Sequence, residues 1–324
     1  MSPPRSAEAL ARWRHAEGQL ELDRVRVLAI VNLTPDSFFD GGRWMAAEQA
    51  QANASVVLAA CRRWVGQGAD VLDLGGESTR PGSTPVSIET ELARVAPIVE
   101  RLRADELLRA TPISVDTRHA AVARAVLERG AAIINDVSGL ADPAMAEVVA
   151  RAGAGLIVGH MRGEPATMQA QIHFEDLLGE VVEELLASVE RARRAGVERE
   201  AIVVDPCLGF GKSGQQSAAL LVSADLLERE TGCPVLIGAS RKSFLAQWAP
   251  AEAARPGPEQ RLLGSVVAGM LAVVHGARML RVHDVAETLE ALRVHEGVAA
   301  ALAEAQRRHP LAARALVDQG GERA

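Results

Sequence analysis

Eight short apolar runs recur along this chain, and each ends abruptly in polar residues. They are near-continuous rather than alternating, which is typical of parallel β-strands buried on both faces. Because every run leads into polar residues, we expect eight strands that present polar groups at one end of a sheet. The runs cover residues 25–31, 71–74, 113–115, 133–134, 156–158, 202–204, 235–237 and 279–280.

Apolar residues at helical spacing fill three of the intervals between these runs, at 50–65, 174–192 and 263–274. Alternating strands and helices over 25–294 match the size of a (β/α)8 barrel, the TIM barrel. A doubly wound sheet also alternates strand and helix and is the alternative. Polar clusters after all eight runs, rather than at one crevice, favour a single α/β barrel with a short N-terminal extension.

The flanking segments are predicted to lie outside the barrel. Residues 1–24 form the extension and close the lower end of the barrel, with 20–22 paired to 25–27 as a short hairpin. Residues 25–305 form the barrel itself. Residues 306–324 carry charge and end in glycine-containing sequence, which predicts a flexible tail.

Composition narrows the function classes. A net charge of −7 without a basic block offers no support for nucleic-acid binding. Cys61, Cys207 and Cys233 are far apart, so we expect buried thiols in a reducing compartment. The N-terminus has no apolar segment, and no apolar run approaches the roughly 18 residues of a membrane span. We therefore expect a cytoplasmic protein without membrane contact.

Three polar residues that end different runs, Asp116, Asn135 and Asp205, are candidates for ligand binding. Each alone is more often a helix cap or a turn residue. Together, two carboxylates and one amide suit a planar heterocycle with an amino-amide edge, because a carboxylate accepts paired N–H donors. Lys242 would donate to a ring carbonyl or nitrogen, unless it is only a solvated lysine at a helix start.

A second group of residues suits an anion. Arg281 and His283 are two apart at the end of an extended run, so both side chains face the same way. Such a pair suits phosphate or pyrophosphate. Arg80 is a further cation at the rim. Asn32 could bind Mg²⁺ shared with substrate phosphates, although one asparagine does not specify a metal. His160 is either a site residue or a hydrogen-bonded core histidine.

The sequence GFGKSG at 209–214 fits the dinucleotide-binding pattern G-x-G-x-x-G. It follows the sixth run rather than the first, and four residues separate it from the strand. Position 206, where a P-loop needs glycine, is proline. We therefore predict a loop with positive φ angles that presents Phe210 as a stacking surface.

Seven motifs, in this order, resemble the dihydropteroate synthase family. The resemblance covers nearly the whole barrel and implies a (β/α)8 fold, commonly homodimeric. It also implies condensation of 6-hydroxymethyl-7,8-dihydropterin diphosphate with 4-aminobenzoate, with release of pyrophosphate. The motifs are NLTPDSFFDGG (32–42), DLGGESTRPG (73–82), VDT (115–117), ND (135–136), DPCLGFGK (205–212), SRKS (240–243) and RVHDV (281–285).

The resemblance implies a role for each matched residue. Asp116, Asn135, Asp205 and Lys242 would hold the pterin, with Phe210 and Arg281 against its faces. Asn32, through Mg²⁺, would meet the diphosphate together with Arg281 and His283. Asp116, Lys242, Arg281 and His283 are thereby the expected catalytic residues. The 4-aminobenzoate pocket would be formed by Phe38, Thr79, Arg80 and Pro81, with Ser240 near the carboxylate.

Two departures from the family pattern lie in the predicted pocket. Cys207 stands where glycine is usual, so that turn could differ or the thiol could line the wall. Gly159 stands where methionine is frequent. Two rival functions share the pterin-binding residues: a pterin-dependent methyltransferase and a non-catalytic pterin-binding subunit. The matched residues for 4-aminobenzoate and diphosphate argue against both.

Overall fold

A sheet of eight parallel strands forms the centre of the protein. The computed structural model describes residues 12–34, 50–78, 83–170, 172–248 and 256–308. A separate antiparallel hairpin precedes the sheet and consists of β1 (Arg12–His15) and β2 (Gly18–Glu21). The eight strands are β3 (Arg26–Asn32), β4 (Val71–Gly75), β5 (Ile113–Asp116), β6 (Ile133–Asp136), β7 (Gly155–Gly159), β8 (Ile202–Asp205), β9 (Leu236–Ile237) and β10 (Met279–Val282).

Helices separate the strands and surround the sheet. Ser87 begins the second helix by accepting a hydrogen bond from Thr90 N, and Ser213 forms a capping box with Gln216 at the start of the sixth. The helices are α1 (Ala50–Gln67), α2 (Ile88–Ala104), α3 (Ala120–Leu127), α4 (Met145–Ala152), α5 (Leu177–Arg194), α6 (Gly214–Leu221), α7 (Ala224–Thr231), α8 (Leu262–Val274) and α9 (Val285–Arg308).

The strand order confirms the predicted barrel. The strands from β3 to β8 are neighbours in chain order. On its other side β3 pairs with β10, and β10 pairs with β9. A parallel bridge between Val204 of β8 and Val235, the residue before β9, links the two ends of this order. No reversal of strand order occurs among the described strands, whereas a doubly wound sheet has one. All eight apolar runs are strands, and their carboxyl ends lie at one end of the barrel.

The predicted hairpin is wrong in its pairing. Gly18–Glu21 pairs with Arg12–His15, while residues 26–32 pair with β4 and β10. The reason is Trp13, whose fully buried indole donates from Nε1 to Ala201 O at 3.0 Å. It packs with apolar residues inside the amino end of the barrel: Leu28, Val71, Ile133, Ile157, Val203, Leu236 and Met279.

The three cysteines have buried side chains and form no disulfide, as predicted. None of the described helices is both long enough and apolar enough to cross a membrane.

Candidate active site

A cavity of about 470 Å³ opens at the carboxyl ends of the strands. Parallel barrels expose their βα loops at this end, and ligands bind there. Seven of the residues predicted from the sequence line this cavity although they come from distant parts of the chain: Asn32, Asp116, Phe210, Ser240, Lys242, Arg281 and His283.

Arg281 extends from β10 across the inside of the barrel. Its Nε donates to Asp73 Oδ2 on β4 at 2.6 Å, and its Nη2 donates to Asp116 Oδ2 on β5 at 2.8 Å. Burial would lower the pKa of Arg281, but the two carboxylates outweigh burial and raise it. Burial raises the pKa of Asp116 to about 7, with Arg281 opposing this rise and Asp73 adding to it.

Asn135 and Asp205 are almost fully buried and are not among the described residues lining the cavity. Asn135 Nδ2 lies 3.5 Å from Asp73 Oδ2. Asp205 Oδ1 accepts a hydrogen bond from Cys207 N at 2.7 Å. Burial raises the pKa of Asp205, with the Lys242 charge opposing the rise. Asn135 therefore contacts the carboxylate that binds Arg281, and Asp205 carries the charge that acts on Lys242.

Lys242 contacts Phe210, another residue predicted to bind the pterin. Its Nζ lies 4.6 Å from the centroid of the Phe210 ring, a cation–π distance, and donates to Leu208 O. Burial lowers the pKa of Lys242, and the charge of Asp205 counteracts this. Phe210 lies between Gly209 and Gly211, with φ of 82° and 60°, so the predicted loop with positive φ is confirmed.

Ser240 and His283 form a pair at the edge of the cavity. Ser240 Oγ lies 3.0 Å from His283 Nδ1 and accepts from His283 N at 3.2 Å. The next residue, Arg241, has a φ of 58° and an ion pair with Asp284, Nε to Oδ2 at 2.9 Å. This buried ion pair joins the loop after β9 to the end of β10, which holds Lys242 and His283 on one rim.

Lys212 is a buried lysine that sequence reasoning did not assign. Its Nζ donates to His160 O and to Phe210 O, both at 2.9 Å, and lies 2.9 Å from His160 Nδ1. His160 Nε2 is 3.0 Å from Glu184 Oε2. Burial lowers the pKa of His160. His160 is therefore a core histidine that ties the loops after β7 and β8 together.

Charged pairs also hold the segment after β4. Arg118 donates to both oxygens of Glu77, at 2.9 and 3.2 Å, and Glu77 Oε1 accepts from Val86 N at 3.3 Å. Glu91 Oε2 lies 2.7 Å from His119 Nδ1. Glu77, Glu91 and His119 could together hold a metal ion by distance alone. The Arg118 guanidinium already neutralises Glu77, so this cluster is an ion-pair network.

Comparison with known proteins identifies the family of this chain. The model of a family described as "Pterin binding enzyme" matches residues 28–283. The dihydropteroate synthase of Mycobacterium leprae is 41% identical over 278 residues, covering 85% of this chain and 94% of that protein. The chain belongs to the dihydropteroate synthase family. It is a transferase of folate biosynthesis. Membership of this family favours the dihydropteroate synthase function over a pterin-dependent methyltransferase or a non-catalytic pterin-binding subunit.

Solved dihydropteroate synthases have the same fold. The Xanthomonas albilineans enzyme with 4-aminobenzoic acid superposes with a TM-score of 0.78 at 42% identity, covering 90% of this chain and 99% of that chain. The Burkholderia cenocepacia enzyme complexed with 7,8-dihydropteroate superposes with a TM-score of 0.77 at 38% identity, covering 91% of this chain and 99% of that chain.

Four residues predicted for the aminobenzoate pocket of this dihydropteroate synthase lie outside the described residues: Phe38, Thr79, Arg80 and Pro81. Sequence reasoning also missed Asp73, which contacts Arg281 directly. The signal was present, because an aspartate inside an apolar strand that is buried on both faces requires a partner. Its partner could not be read from the sequence, since Arg281 is 208 positions away.

Proposed function

We propose that this dihydropteroate synthase joins 6-hydroxymethyl-7,8-dihydropterin diphosphate to 4-aminobenzoate, releasing pyrophosphate. The observation that carries the proposal is the convergence of Asp116, Lys242, Arg281 and His283 on one cavity. A carboxylate and three cationic or donor groups suit a substrate with a hydrogen-bonding heterocycle at one end and an anion at the other. The relatives solved with 4-aminobenzoic acid and with 7,8-dihydropteroate support the second substrate and the product of this reaction.

The pterin would bind at the inner wall of the cavity. Asp116 and Asp205 accept hydrogen bonds from ring N–H groups, and Lys242 donates to a ring carbonyl or nitrogen. Asn135 provides an amide behind them. Phe210 and the Arg281 guanidinium offer flat surfaces against the ring faces. Asp116 Oδ1 is buried, and Oδ2 accepts a hydrogen bond from Arg281 Nη2, so a ring donor that binds Oδ2 would compete with Arg281.

The diphosphate would bind beside Asn32, Arg281 and His283 at the mouth. Asn32 lines the cavity with an amide oxygen, the donor type Mg²⁺ prefers, and substrate phosphates supply further oxygen ligands. This donor set fits Mg²⁺ shared between Asn32 and the substrate. When bound, Mg²⁺ would neutralise charge developing on the departing diphosphate. Arg281 would act on the same charge through its guanidinium, and His283 through its imidazole held by Ser240.

The 4-aminobenzoate would bind outside the pterin, with its carboxylate near Ser240 and its ring among Phe38, Thr79, Arg80 and Pro81. Its amine then faces the pterin methylene carbon. This order places the heterocycle deepest, where hydrogen-bonding groups are buried, and leaves the second substrate at the open end. Closure around both substrates would exclude water, which competes with the amine.

The chemistry needs no nucleophilic side chain. The methylene C–O bond breaks, and its electron pair leaves with the diphosphate oxygen. The ring-stabilised carbocation that remains is captured by the aminobenzoate nitrogen, which forms the C–N bond and loses a proton. The Asp116 carboxylate lies where negative charge stabilises this cation. Lys242 and Asp205 keep the ring oriented while the bond breaks.

A homodimer is also proposed. The helix α8 exposes apolar residues at three- and four-residue spacing, and neighbouring α9 exposes three more. An apolar face of this kind is unusual on a monomer and suits a second copy of the same chain. The exposed residues are Leu263, Val267, Leu271 and Val274 on α8, with Val294, Val298 and Leu302 on α9.

Three buried thiols without a disulfide suit a cytoplasmic location.

One assay tests the proposed reaction. Purified protein is incubated with the pterin diphosphate and Mg²⁺, with and without 4-aminobenzoate, and pyrophosphate release is measured. We expect release that depends on 4-aminobenzoate, together with formation of 7,8-dihydropteroate. Pyrophosphate release that is absent or independent of 4-aminobenzoate would exclude the proposed condensation.

A further inference from the structure

Asp73 is a fully buried carboxylate for which the proposed function gives no role. It lies within β4 and accepts from Arg281 Nε at 2.6 Å. Its Oδ1 accepts no hydrogen bond from the described residues. A buried carboxylate is costly unless paired, so its presence in an otherwise apolar strand requires a reason beyond folding. Its contact with Arg281 provides that reason.

The position of Arg281 depends on contacts far from its own strand. In the sheet, β4 is two strands and β5 three strands from β10. The side chain therefore spans much of the barrel interior before Nε meets Asp73 and Nη2 meets Asp116. A long side chain with this reach is flexible in isolation, and two ion pairs restrict it to one placement.

The two carboxylates that hold Arg281 are not equivalent. Asp116 lines the cavity, whereas Asp73 is fully buried and is not among the described lining residues. A pterin that hydrogen-bonds to Asp116 must compete with Arg281 Nη2 for Oδ2. Once Nη2 no longer binds Asp116, the contact between Nε and Asp73 is the one described ion pair that Arg281 keeps.

We propose that Asp73 is a positioning residue that retains Arg281 beside the pterin while competing with the diphosphate for the guanidinium. The proposal rests on the proposed function, in which Arg281 meets both parts of that substrate. It has two consequences of opposite sign. Retaining Arg281 strengthens binding of the pterin ring. Occupying its positive charge weakens binding of free pyrophosphate, which favours release of that product.

Asp73→Asn separates these consequences because it removes the charge and keeps the shape. We expect the affinity for 6-hydroxymethylpterin, which lacks the diphosphate, to fall about tenfold, since a charge-assisted hydrogen bond to Arg281 is lost. We expect the affinity for pyrophosphate, at equal free Mg²⁺, to rise about threefold or more, because one competing carboxylate is gone. Both are measured by calorimetry, and the KM for 4-aminobenzoate should not change.

Asp70→Asn is the matched control. Asp70 immediately precedes β4, is partly buried and also binds arginines, with Oδ1 2.6 Å from Arg24 Nη2 and 3.0 Å from Arg26 Nη1. It contacts the amino end of the barrel, away from the cavity. We expect it to lower the free energy of unfolding and to leave both affinities unchanged. A general structural disturbance by Asp73→Asn would instead weaken both ligands.

The opposite changes in affinity are the decisive result. Unchanged or weaker pyrophosphate binding in Asp73→Asn overturns the proposal, as does unchanged binding of the pterin. Asp73→Ser, which removes the charge in a smaller side chain, repeats the test if the asparagine variant does not fold. Failure of both variants to fold would show that Asp73 serves the fold instead. Because binding is measured without turnover, this result is separate from failure of the proposed condensation in the wild-type protein.

Discussion

The thiol of Cys207 occupies the space beside Gly159 that a side chain at position 159 would need. A Cβ on Gly159 would lie 2.7 Å from Cys207 Sγ and 2.5 Å from Val137 Cα. Cys207 has a φ of 49°, so the turn keeps a glycine-like backbone while carrying a side chain. The two departures from the family pattern are therefore coupled, because the Cys207 side chain lies where a side chain at position 159 would lie.

Gly159→Ala tests this contact. The added methyl group meets both a side chain and a backbone atom, so we expect the free energy of unfolding to fall by about 1–3 kcal/mol, as for other overpacked cores. Gly66→Ala in α1 is the control, because a Cβ there has no neighbour within 4 Å. Urea denaturation of both variants checks the prediction, and equal effects would contradict it.

The raised pKa of Asp116 predicts that pterin binding depends on pH. Its carboxylate form accepts ring N–H donors, and its pKa is raised to about 7, first by burial. Protonation as the pH falls below about 7 removes this acceptor, so the affinity should fall by up to about tenfold per pH unit. Calorimetry with 6-hydroxymethylpterin avoids titration of the substrate's own diphosphate. Constant affinity between about pH 5.5 and 7.5 would refute the assigned role of Asp116.

Two lysines near the same loops, Lys212 (buried) and Lys242 (partly buried), should respond differently to substitution by methionine. Lys242→Met removes a donor that faces the cavity, so we expect pterin affinity to fall at least about tenfold. Lys212→Met leaves His160 O and Phe210 O without their buried donor, so we expect the free energy of unfolding to fall by about 2 kcal/mol.

Calorimetry and urea denaturation of both lysine variants separate the two effects. Each variant serves as the control for the other, because both lose one ammonium group and gain the same side chain. Equal loss of pterin affinity in both would show that Lys212 also serves the site. Asp205→Asn should follow Lys242→Met in weakening pterin binding, since Asp205 carries the opposing charge.

The proposed dimer is tested by Val267→Glu. This residue is half exposed on α8, and a carboxylate there would be buried against the second copy, which is unfavourable. We expect the variant to be monomeric by light scattering after gel filtration. Val56→Glu is the control, because Val56 is equally exposed on α1, away from the proposed face. A dimeric Val267→Glu variant, or a monomeric wild-type protein, would contradict the proposal.

Much of the barrel was predictable because its signals are local. An apolar run followed by polar residues predicts a buried strand and the end at which it opens, and all eight runs are strands. The family motifs likewise predicted Asp116, Lys242, Arg281 and His283, which meet in one cavity. The hairpin pairing was wrong because period-2 alternation in 20–22 does not specify a partner strand, whereas burial of Trp13 does.

The sequence by itself determined the alternation of strands and helices, the end of the barrel that carries polar groups, and the residue types available there. Only the tertiary structure decided which of them touch: Asp73 with Arg281, Lys212 with His160, and Cys207 with Gly159. The physical reason is that periodicity records which face of its own element a residue occupies. Contacts across a barrel depend on strand order, register and closure, which no single segment encodes.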